Sequence, residues 1–79
     1  MLLRTQGNHR QARRAFAWAR EIAVRMEMPF EEARALLELG RHAEEPEREW
    51  LLSRAAEIFE QLGAEHYRAR AAADRQTFG

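Results

Sequence analysis

The chain has no cysteine, no lysine, only two prolines and four glycines, and no long apolar run. Without cysteine there are no disulfides, no thiol catalysis and no thiolate metal sites, and nothing argues for an oxidising compartment. No apolar stretch approaches the roughly 20 residues needed to span a bilayer. Met1-Leu2-Leu3-Arg4 is too short for a signal peptide, so a cytoplasmic protein is expected. Scarce proline and glycine leave long uninterrupted segments. Those segments are filled by Ala, Leu, Glu and Arg, which are good helix formers.

Seventy-nine residues allow one domain, 1–79, with a modest core. Apolar residues are 46% and charged residues 33%, a globular rather than a disordered composition. All 13 basic residues are Arg and balance 13 acidic ones. The charge is nevertheless sorted along the chain. Residues 1–26 carry six Arg and one Glu, a net +5. Residues 27–65 carry four Arg and eleven Glu, a net −7, and residues 66–79 carry three Arg and one Asp, a net +2. This basic–acidic–basic order suits neighbouring helices, or neighbouring copies, that attract one another.

Four helices are predicted. Residues 1–6 read as a frayed terminus broken from the rest by Gly7, with Asn8 as N-cap and Gln11 completing a variant capping box. The first helix then runs to about Glu27. Ala12, Phe16, Ala19, Ala23 and Met26 lie on one stripe, and Ala15, Trp18 and Ile22 widen it. A face this broad predicts a helix covered on more than one side. Pro29 starts the second helix, where its missing N–H costs little, and Glu31 and Glu32 complement the dipole. Its buried stripe is Phe30, Ala33, Leu36, Leu37 and Gly40, and Gly40 is read as mid-helix, with another helix packed on its bare backbone. The third helix, from Pro46 to Leu62, has the richest apolar face: Trp50, Leu51, Leu52, Ala55, Ile58, Phe59 and Leu62. Gly63 is placed to end it in the left-handed region. The fourth, about Ala64 to Gln76, has only Ala64, Tyr67, Ala71 and Phe78 to bury.

Residues 14–35 set against 50–71, an offset of 36, share six identities in 22 positions. Ala19, Glu21 and Ile22 meet Ala55, Glu57 and Ile58; Ala33, Arg34 and Ala35 meet Ala69, Arg70 and Ala71. A period of this length marks a helix–turn–helix solenoid. Leu36-x2-Leu39-Gly40-x2-Ala43 and Ala12-x3-Phe16-x2-Ala19, approached by Gly7-x-His9, resemble the tetratricopeptide repeat, with both aromatics of the first motif replaced. Two intervals differ from the family's usual spacing, Gly40 to Arg48 being about four residues shorter and Ala19 to Leu36 about six longer. That combination is similar to the longer-period repeats of large bacterial regulators. The resemblance implies an all-α chain of consecutive antiparallel hairpins, approximately 7–45 and 46–79, in a right-handed superhelical fragment.

It also implies a binding role. First helices of each tetratricopeptide pair line a concave groove, which places Glu31, Arg34, Glu38 and Arg41 of the second helix, and Tyr67, Arg70 and Asp74 of the fourth, opposite a protein or peptide partner. A solvated, salt-bridged helix face would show the same alternating row. Open apolar ends, with Phe16 and Trp18 at one and Tyr67 and Phe78 at the other, imply self-association as a homodimer.

Candidate chemistry is thin. His42 has Glu38 four residues before it and Glu45 three after, but zinc wants three or four ligands and none converge, so no metal or other cofactor is expected. Glu31-Glu32 and Glu44-Glu45 are adjacent pairs whose side chains diverge on a helix. Ser53, Thr5 and Thr77 have no partner base in sequence, and no GxSxG, phosphate-binding loop or HExxH is present. The chain is expected to be non-catalytic. The alternative is a small Arg-rich nucleic-acid-binding domain using Arg10, Arg13, Arg14 and Arg20.

Overall fold

The computed structural model describes residues 2–78, with side chains described for 10–76. It is all-α: α1 Leu2–Arg25, α2 Pro29–His42, α3 Glu47–Leu62 and α4 Glu65–Phe78. Helices pack in chain order, α1 on α2, α2 on α3 and α3 on α4. Pro29 occupies the first turn of α2 with Glu31 and Glu32 beside it, as the sequence predicts. Pro46 stands just before α3.

The start of α1 differs from expectation. The helix begins at Leu2, so Gly7 does not break it and Asn8 is interior rather than a cap. One glycine costs a helix only about 1 kcal/mol, too little to stop a run seeded by Leu2 and Leu3. The side chains of Asn8 and Phe78, to which the sequence assigned capping and burial, lie outside the described residues.

The core lies between α2 and α3. Ala33, Leu36 and Leu37 meet Leu51, Leu52, Ala55, Ile58 and Phe59, and Ala71 seals the cluster from α4. Phe59, Leu36 and Leu52 are the largest fully buried side chains, each contributing roughly 1.5–3 kcal/mol of apolar burial. Gly40 is buried inside α2, as its mid-helix reading requires. A Cβ there would lie 2.5 Å from Leu52 Cδ2 and 2.7 Å from Leu52 Cγ. The bare glycine backbone thus sets how closely α2 approaches α3.

The broad face of α1 is a correction. Only Ala23 is buried, and Ala12 and Phe16 are half-buried. Ala15, Trp18, Ala19, Ile22 and Met26 are exposed. Among the described residues α1 is therefore covered on one side, by α2, rather than on two. Trp50 and Leu62 of the rich α3 face are exposed as well. Gly63 closes α3 at φ 72, as expected, and Glu27 takes the same left-handed conformation after α1 at φ 54.

A candidate binding groove between the first two helices

Phe16 and Ala19 on α1 and Glu31, Arg34, Ala35 and Glu38 on α2 border an open groove of about 160 Å³. Its floor is apolar because the 3–4 residue spacing of Phe16 and Ala19 puts them on one edge of α1, opposite the buried Ala35. Phe16 is held by stacking on His42, ring centroids 5.9 Å apart and planes 19° from parallel. The rim is charged. Glu31 and Arg34 stand one turn apart with 3.8 Å between Oε2 and Nη1, both about half exposed, so their pairing is weak. The groove offers an apolar slot flanked by charges of both signs, which suits an apolar side chain on a helix or peptide.

The remaining predicted residues go elsewhere. Arg41 donates from Nε to Asp74 Oδ2 at 2.7 Å and from Nη1 to Glu38 Oε1 at 3.2 Å. The Asp74 carboxylate raises the Arg41 guanidinium above its already high ordinary pKa, with Glu38 adding to the effect. This cluster ties α2 to α4. Tyr67 is half-buried, 5.1 Å from Phe30 and 5.2 Å from Phe59 between ring centroids. It is the edge of an aromatic core, so most of its surface is already spent on packing. Arg70 is exposed. Of the seven predicted residues, Glu31, Arg34 and Glu38 line the groove, Glu38 joins Arg41 and Asp74, and Tyr67 packs inward.

The sequence reading missed Arg48. Its side chain is 5% exposed, donating to the Asp74 backbone carbonyl at 3.3 Å and to Glu45 Oε2 at 2.9 Å. One residue on α4 thereby receives two guanidinium groups, Arg41 on its carboxylate and Arg48 on its carbonyl. The signal was present in the spacing. Arg48, Leu52, Ala55 and Phe59 fall at helical intervals on one stripe, and Glu45 is one turn before.

The other candidate chemistry is absorbed by packing or surface pairs. Ser53 Oγ lies 3.4 Å from Glu49 Oε1, and Glu49 also receives Arg75 Nη2 at 2.5 Å. The Arg75 hydrogen bond holds the Glu49 carboxyl below its ordinary value; Arg68 does the same to Glu65. Among the described residues, no three His, Asp or Glu converge on a point where a metal ion could sit. No described helix is long and apolar enough to cross a membrane. In the basic segment Arg10, Arg13 and Arg14 are exposed, while Arg20 is half-buried with its guanidinium 5.9 Å from the Trp50 ring centroid. Comparison with known protein families, curated proteins and solved structures finds no match for this chain in any of the three.

Proposed function

We propose that the chain is a non-catalytic protein–protein interaction module, tetratricopeptide-like, of the kind built into cytoplasmic bacterial regulators. The observation that carries this reading is the groove between α1 and α2. It combines an apolar floor with an alternating charged rim, the arrangement by which a helix or extended peptide is seated and oriented. Contacts also join alternate helices. Arg20 reaches Trp50 from α1 to α3, and Phe30 and Arg41 reach Tyr67 and Asp74 from α2 to α4.

Helical peptides selected from a display library on the wild-type chain test the proposal. They are expected to lose at least about 10-fold in affinity, roughly 1.4 kcal/mol, on Ala19→Arg or on the charge reversal Glu31→Arg. A library yielding nothing tighter than about 100 µM, or binders indifferent to both substitutions, refutes it.

Single-stranded nucleic acid is a second reading, favoured by one observation. Trp18 is 66% exposed on the same helix as the exposed Arg13 and Arg14, and stacking on an aromatic beside cations is how such strands are held. A salt-dependent mobility shift lost in Arg13→Ala/Arg14→Ala would support it. No shift at low salt removes it.

A further inference from the structure

The ends of α1 and α3 are built alike. Glu27 N–H donates to the Val24 carbonyl at 3.2 Å, and Met28 N–H to that of Ala23 at 2.8 Å. Exactly one offset of 36 later, Gly63 N–H donates to Glu60 at 3.1 Å and Ala64 N–H to Phe59 at 2.8 Å. Both are the two-bond closure of a left-handed cap. The next helix starts two residues after each, at Pro29 and at Glu65. The corner α1–α2 is thus repeated as α3–α4.

The two corners differ in what covers them. On α3, Leu51, Leu52, Ala55 and Ile58 are buried, and α2 lies on this face with Gly40 over Leu52. The equivalent residues of α1 are Ala15, Phe16, Ala19 and Ile22. Ala15 and Ala19 are exposed, Ile22 is 37% exposed and Phe16 is half-buried over the groove. The face that receives a helix in the second corner stands open in the first.

The helix that would fit must resemble α2, and the chain holds one more of that kind. Thirty-six residues on from Ala33, Leu36, Leu37 and Gly40 stand Ala69, Ala72, Ala73 and Gln76 of α4. Within its own chain α4 packs on α3, so only another molecule can bring an α4 onto α1. We propose that a second copy of this chain docks head to tail, its α4 seated on the open α1 face and along the groove. This rests on the reading of that groove as a helix-binding site, and it names the occupant.

One polar pairing suits it. The contact of Phe30 with Tyr67 maps onto His66 of the second copy opposite Glu31, a pairing of imidazole and carboxylate that favours the docked register. Such an interface joins two different faces, so each added copy leaves a new open end.

Sedimentation velocity from about 1 to 200 µM tests the proposal on the whole chain. Wild type is expected to grow past a dimer as concentration rises. Ala19→Arg blocks the receiving face and Ala69→Arg the docking face. Both sites are exposed, and circular dichroism verifies that each variant is folded. Each alone is expected to be monomeric, whereas their equimolar mixture forms a dimer and stops there, because one intact pair of faces remains. As an independent measurement, His66→Glu sets like charges together and weakens association at least about 10-fold, and adding Glu31→Arg restores it. Monomeric wild type throughout, or variants whose mixture stays monomeric, overturns the proposal. If selected peptides still bind the groove of a monomeric wild type, the interaction module stands and only the second copy falls.

Discussion

Replacing Gly40 by alanine sets helix propensity against packing. In an exposed helix interior the change stabilises by about 1 kcal/mol, because alanine loses less conformational freedom. At Gly40 the new methyl would lie 2.5 Å from Leu52 Cδ2, 2.7 Å from Cγ and 3.4 Å from the Leu52 backbone nitrogen. Rotating the end of the leucine relieves the first contact but not the second, since Cγ moves only with the whole side chain. Leu52 is fully buried in the core cluster, so it cannot swing out into solvent. Overpacking of this kind costs about 1–3 kcal/mol, which outweighs the propensity gain. A net loss of about 1 kcal/mol lowers the melting temperature by roughly 4–8 °C in a domain of this size. Calorimetry or thermal circular dichroism reads the shift at a concentration where association is held constant. A double-mutant cycle with Leu52→Ala isolates the contact, and a coupling energy of about 1 kcal/mol or more is expected because the shortened residue leaves room for the methyl. If Gly40→Ala instead raises the melting temperature by several degrees, α2 does not approach α3 as described.

Four further outcomes are expected. Phe59→Ala, at a fully buried site between Phe30 and Tyr67, costs about 3–5 kcal/mol, and urea unfolding checks it. Glu27→Gly is expected to stabilise by roughly 0.5–1 kcal/mol, because it relieves a side chain held at φ 54 at the expense of some unfolded-chain entropy. Gly63→Ala, at φ 72 with nothing within 4 Å of the new Cβ, destabilises through the backbone alone by about 1–2 kcal/mol. Opposite signs at the two caps are the expected result in chemical denaturation. Finally, the Arg75 hydrogen bond lowers the folded-state pKa of Glu49 from its ordinary 4.5. Its stabilisation is therefore complete above the unfolded-state value and is lost as pH falls through the lower folded one. Denaturation midpoints of wild type and Glu49→Gln, compared between about pH 3 and 6, should converge on the acid side, and a constant gap would contradict the pairing.

Helix type and most boundaries were legible in the residues themselves. Pro29, Pro46 and Gly63 act locally, through a fixed φ, a missing donor and access to positive φ, so they punctuate the chain wherever it folds. The stripe of α2 was equally plain, and even the role of Gly40 followed from a glycine on a buried face. The start of α1 was misread because Gly7 and Asn8 are capable of ending or capping a helix without being compelled to. The closure at Glu27 carries no sequence signal, since glutamate seldom adopts that conformation. The groove could be named only in part. Glu31, Arg34 and Glu38 are evident as a charged row on one helix, whereas Phe16 and Ala19 join them only because α1 lies alongside.

The sequence by itself determined an all-α chain of four helices, the places where three of them start, and which faces are apolar. These depend on periodicity and on residues a few positions apart. Only the tertiary structure decided which apolar faces are covered. It buried Leu51, Leu52, Ala55 and Ile58 of α3 in the core while leaving Ala15, Ala19 and Ile22 of α1 open. It turned Tyr67 into the core, and brought Arg41 and Arg48 together on Asp74. Each of these outcomes needs two helices distant in sequence to meet, and helical periodicity records only which side a residue is on, not what lies against it.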